Sequence, residues 1–63
     1  MEDFKTRLIE EQSLLEEKLN KLNSFTQSDK FDEIDPRQQS LLVIQAGAMY
    51  TYNECLKARI EIL

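Results

Sequence analysis

A single glycine and a single proline interrupt this 63-residue chain, at Gly47 and Pro36, so two long stretches contain nothing that forces the backbone out of a helix. From Glu2 to Phe25 neither residue occurs, and apolar side chains recur at Met1, Phe4, Leu8, Leu15, Leu19, Leu22 and Phe25 in steps of three, four or seven. That spacing predicts an amphipathic helix over 2–25. Its polar face carries Lys5, Glu10, Glu16, Glu17, Asn20 and Lys21, with Glu17 and Lys21 placed as an i,i+4 pair worth about 0.3 kcal/mol.

The segment 26–35 breaks the pattern with Ser28, Asp29, Asp32 and Asp35, while Phe31 and Ile34 supply apolar anchors for one helical turn. It reads as a short structured connection. Asp35-Pro36-Arg37-Gln38 then gives a start signal, with Asp35 as N-cap, Pro36 at the first helical position and Gln38 closing a capping box. The second helix is expected over 36–62, because a mid-helix glycine costs about 1 kcal/mol without ending a helix.

The expected fold is all-α: an antiparallel hairpin of two long helices, with a short helical turn between them, assembling as a homo-oligomer. One stripe of the second helix runs through Leu41, Leu42, Gln45, Met49, Tyr52, Leu56 and Ile60, and a weaker one through Val43, Ala46, Tyr50 and Leu63. Pairing the first with the opening helix sets Leu22 near Leu41, Leu15 near Met49 and Leu8 near Leu56. The second stripe then requires another chain. Two helices share one seam, and burial at about 25 cal/mol per Å² struggles against about 1.5 kcal/mol of ordering entropy per residue. The run Ala46-Gly47-Ala48 would permit close backbone approach at such an interface, or Gly47 is a tolerated defect.

Composition narrows the chemistry. The longest apolar run, Leu41-Leu42-Val43-Ile44, is far short of the roughly 20 residues that span a bilayer. The acidic start Met1-Glu2-Asp3-Phe4 lacks a signal peptide's basic and apolar regions, which points to an intracellular setting. With no histidine and one cysteine, Cys55, there is neither an internal disulfide nor a Cys/His zinc site, and the usual proton shuttle is missing. An enzyme is therefore disfavoured, and no cofactor is expected. A net charge of −4 and a pI near 4.6 disfavour nucleic-acid polymers and anionic membranes as partners, but leave small anionic ligands open.

Among candidate functional residues, Glu11 and Gln12 fall beside the apolar seam, near Tyr52 and Cys55, as either a register device or a ligand-facing patch. Tyr50 and Tyr52 lie about 200° apart, so one can pack while the other stacks on a nucleobase. Lys18 and Lys21 lie one turn apart; Lys57 and Arg59 lie near the C-terminus, toward which the hairpin brings Lys5 and Arg7. Arg37 stands in the first turn of the second helix, where unpaired backbone N–H groups favour anions. Asp29, Asp32, Glu33 and Asp35 lack the glycine and the glutamate of a calcium loop and read as caps and turn formers. Cys55 has no activating neighbour and reads as a structural thiol.

The series Leu19, Leu22, Phe25, Ser28, Phe31, Ile34, Leu41-Leu42, Gln45, Ala48-Met49, Tyr52, Leu56 and Arg59-Ile60, with its "KLNSF", "SDKF" and "AMYTY" segments, resembles a family of very small proteins known from crAss-like phages. That resemblance covers about 8–60 and implies a phage-encoded helical hairpin that oligomerises. The architecture is also similar to the phage anti-CBASS and anti-Thoeris sponges. By that analogy the protein would capture a cyclic oligonucleotide or ADP-ribose-type messenger between protomers, in the cytoplasm of an infected bacterium, without turning it over. Lys18, Lys21, Arg37 and Arg59 would then contact phosphates, and Tyr50 or Tyr52 would stack on a base. The rival expectation is a helical oligomer that blocks a host protein, or a structural coiled-coil part.

Overall fold

The computed structural model describes residues 3–63 as two antiparallel helices, α1 (Phe4–Thr26) and α2 (Pro36–Glu61), joined through a 3-10 helix at Asp29–Glu33. Met1 and Glu2, which the sequence pattern included in the first helix, lie outside the described residues. Asp3 stands outside the helix as its N-cap, its carboxylate accepting the Thr6 N–H at 2.9 Å. An aspartate that satisfies an orphan donor in this way adopts extended backbone, so the helix begins at Phe4, two residues after the expected start.

At the other junction Asp35 caps α2 by accepting the Arg37 N–H at 2.8 Å, with Pro36 behind it. The capping box expected from Gln38 is not the device used here. Gln39 reaches back instead, donating to the carbonyls of Phe31 (2.8 Å) and Ile34 (3.3 Å) and so tying the connection to α2. Phe31 meets Phe25 edge to face at 6.0 Å, which closes the apolar end of the turn.

The seam follows a heptad line on each helix. On α1 it runs through Leu8, Gln12, Leu15, Leu19, Leu22 and Thr26, and on α2 through Gln39, Leu42, Ala46, Met49, Asn53, Leu56 and Ile60, all buried or half-buried. Steps of three and four keep one side facing the partner helix. Of the stripe drawn from hydrophobicity alone, Leu42, Met49, Leu56 and Ile60 lie in the seam, but Leu41, Gln45 and Tyr52 are exposed, and Ala46 and Asn53 take their places. Ala46, assigned to the second stripe, belongs to the seam, because its small side chain lets the helices approach. Val43, Tyr50 and Leu63 are exposed, as that stripe required.

Leu8, Leu19 and Leu56 are the buried apolar residues among those described, and Leu56 is fully enclosed. The hairpin is accordingly long and thin, 45 × 18 × 14 Å. No helix among the described residues is long and apolar enough to cross a membrane.

Leu56→Ala is expected to cost about 2–5 kcal/mol, the usual range for emptying an enclosed leucine site. Leu14→Ala, at a side chain 59% exposed, should stay within about 0.5 kcal/mol. Urea unfolding followed by circular dichroism checks both.

Candidate functional site

Asn53 is the buried polar residue of the seam, and its amide oxygen and nitrogen are each hydrogen-bonded. The Gln12 amide donates to Asn53 Oδ1 at 3.1 Å, and Asn53 Nδ2 donates to Glu16 Oε1 at 3.3 Å. Gln12 also donates to Glu16 at 3.3 Å, and Lys57 Nζ pairs with Glu16 at 3.1 Å and with Glu54 at 3.6 Å. A polar layer was expected here from Gln12, but its partners are Asn53 and Glu16. Glu11, Tyr52 and Cys55 are exposed on other faces. The hydrogen bond from Lys57, then that from Asn53, then the Lys57 charge hold the Glu16 carboxyl below the ordinary glutamate range. The same pairing raises Lys57 above the ordinary lysine range.

This layer sets the stagger of the helices, and so decides what meets at the open end beyond it. There Phe4, Arg7, Leu8 and Glu11 of α1 and Arg59 of α2 line a groove of about 290 Å³. Leu8 forms the floor. Phe4, in the first turn of α1, has a ring 57% exposed, and the guanidinium of Arg59 in the last turn of α2 lies 5.8 Å above its centre. Two arginines, an aromatic face and one carboxylate thus share a concave surface, with a surplus of one positive charge in a chain of net −4.

Arg59 is the sequence-derived candidate that lines this groove. Arg37 lies at the opposite end of α2, about 33 Å away at 1.5 Å per residue. It is bound to Asp35 through Nη2 and Oδ2 at 2.6 Å, which holds the Asp35 carboxyl low and raises the guanidinium. Lys21 pairs with Glu17 at 3.3 Å on the outer face of α1, and Lys18 is exposed on the same helix. Tyr50 and Tyr52 are exposed, at 58% and 47%. One chain therefore does not gather these six residues.

Phe4 is the groove residue missed as a candidate; Arg7 was expected at this end beside Arg59, though not as a ligand contact. Phe4 fitted the apolar pattern, and its role follows from lying at a helix end where the partner helix runs out. A second concavity, at Phe31, Gln39, Ser40, Val43 and Ile44, is mainly apolar and carries no charge.

Taken together, the structure defines a small two-helix hairpin with a polar-pinned seam and a cationic, aromatic groove at its open end. The chain belongs to the Sequestin family, which matches residues 2–62. It is 39% identical over 57 residues to a 7.5 kDa protein from the denB–rIIB intergenic region of Enterobacteria phage T4, covering 90% of this chain and 89% of that one. The kinship with small phage proteins is thus carried by a T4 relative; nothing in the match bears on crAss-like phages. No solved structure matches the chain.

Glu16, with its lowered folded-state pKa, stabilises the fold above the ordinary glutamate pKa, and that contribution is lost as pH falls through the lowered value. Lys57 acts in the opposite sense, its contribution disappearing as pH rises through its raised value. The melting temperature should therefore fall at both extremes. Glu16→Gln should flatten the acid limb, leaving the part due to the caps Asp3 and Asp35, whose carboxyls are also held low. Thermal melts across pH check this.

Proposed function

We propose that the protein captures an anionic nucleotide messenger of bacterial anti-phage signalling, a cyclic oligonucleotide or an ADP-ribose derivative, and withholds it from its receptor without turnover. The observation that carries this reading is the open-end groove, where Arg7 and Arg59 can contact phosphate oxygens and Phe4 can stack on a base. The family name and the phage relative support capture as the role.

Charge placement suits that chemistry. An acidic chain repels nucleic-acid polymers, whose affinity grows with the number of phosphates neutralised. Two arginines in a small concavity hold one or two phosphates and little more. At about 290 Å³ the groove falls just under the usual 300–1,000 Å³ of small-molecule sites. A messenger with two nucleotides would therefore need walls from another protomer. Binding between copies in a homo-oligomer supplies them, and symmetry repeats the site. The setting of this role is the cytoplasm of the infected bacterium, where such messengers act.

Thermal-shift measurements of the purified protein against cyclic di- and trinucleotides and ADP-ribose derivatives test the proposal. A ligand at a hundred times its dissociation constant should add about 2.7 kcal/mol of stability. Arg7→Ala and Arg59→Ala should abolish the shift, while a Lys18→Ala/Lys21→Ala double variant should keep it. Loss in the double variant alone would move the site to the middle of α1. No shift with any ligand class would overturn the nucleotide reading and favour a host protein as target.

A further inference from the structure

The two flanks of the hairpin carry different chemistry. Lys57 pairs with Glu16 across one of them at 3.1 Å, while Arg59 meets Phe4 across the other, 5.8 Å above the ring. A step of seven residues keeps a side chain on its flank, because two helical turns bring it round to within about 20°. Tyr50 therefore shares the flank of Lys57, and Tyr52 shares that of Arg59. The hydrogen bond between Gln12 and Asn53 sets the level. Glu11 and Tyr52, each one residue before a bonded amide, lie about 3 Å apart along the hairpin axis on the Arg59 flank. From the open end toward the turn the order is then Phe4, Arg7 with Arg59, Glu11 and Tyr52, the last about 10 Å along α2 from Arg59.

This flank is unlike a solvated helix face. Arg7, Glu11 and Arg59 line one groove, yet none of them forms an ion pair among the described residues, whereas Lys21, Arg37 and Lys57 all do. Tyr52 is 47% exposed, and among the described residues no ring or guanidinium lies over it. One face of Phe4, by contrast, is already taken by Arg59. At about 290 Å³ the groove admits the phosphate end of a nucleotide and little more, so the remainder of a ligand lies outside it.

We infer that Glu11 and Tyr52 form the nucleoside end of the capture site, Glu11 accepting hydrogen bonds from ribose hydroxyls and Tyr52 stacking on a base. A nucleotide is built as phosphate, then a sugar whose hydroxyls donate, then a flat base. The flank presents the complementary groups in the same order: two cations, an acceptor and a ring. An ionised carboxylate only accepts hydrogen bonds, so Glu11 suits a hydroxyl and repels a phosphate, which fixes the direction in which the ligand lies. Phe4 in this arrangement holds Arg59 in place from one side and leaves its exposed side to a second ring of a larger messenger.

This inference rests on the capture reading, and calorimetric titration separates the two. ADP-ribose and cyclic di-adenosine monophosphate carry sugar and base; inorganic pyrophosphate carries neither. Tyr52→Ala should weaken whichever nucleotide the parent binds by about tenfold or more, and Tyr52→Phe should restore it, while pyrophosphate binding stays unchanged in both. Tyr50→Ala, at a tyrosine 58% exposed on the other flank, should bind as the parent does. Glu11→Ala should split the ligands by sign, tightening pyrophosphate because a like charge is gone and weakening the nucleotide because an acceptor is gone. All three positions are exposed, so the far-ultraviolet helical signal should persist. Nucleotide binding that survives Tyr52→Ala but is lost in Arg59→Ala would overturn this inference and leave the capture reading standing. A Glu11→Ala variant that tightens both kinds of ligand would overturn the role of Glu11. A parent that binds neither nucleotide overturns the capture reading and this extension with it.

Discussion

Asn53, buried between two helices that offer few enclosed apolar side chains, fixes the register of the whole hairpin. Leucines tolerate sliding by a heptad, since one apolar neighbour replaces another. An amide does not, because a slip would leave its donor and acceptor unpaired away from water, at a cost of about 1–3 kcal/mol. Gln12 and Glu16 on α1 answer Asn53 on α2, and Lys57 neutralises the carboxylate at the rim. The stagger so defined leaves Phe4 and Arg7 beside Arg59 at the open end.

The seam is also thin. Leu8, Leu19 and Leu56 are enclosed and the remainder is half-covered, so the fold is elongated, with a radius of gyration of 14.5 Å against about 10.6 Å for a compact chain of this length. A chain under 70–80 residues draws only a few kcal/mol from one core, and this one has neither an internal disulfide nor the residues for a Cys/His zinc staple.

Membership of the Sequestin family and the concave, cationic open end point in the same direction, toward holding something. Capture requires shape, a few charge-assisted hydrogen bonds and an aromatic face, all of which a hairpin this small can present. Glu11 at the edge of the groove limits its positive field.

The helices, the Asp35 cap and the connection were legible in the sequence, because each rests on local chemistry: a 3.6-residue period, Asp35-Pro36 at a helix start, and one glycine too weak a breaker to end α2. The end of the apolar pattern at Asp3 was misjudged by a residue or two, since an N-cap looks like a helical aspartate until its backbone is seen. What the sequence could not decide was rotation. Hydrophobicity placed Tyr52 and Leu41 in the seam, yet Asn53 and Ala46 occupy it, because α2 is nearly as apolar outside as inside. Its facing was therefore settled by which polar groups α1 could satisfy, a matter of tertiary pairing. The groove arose in the same way: Phe4, Arg7 and Arg59 are far apart along the chain, and only the stagger imposed by the Gln12–Asn53–Glu16 layer brings them to one end.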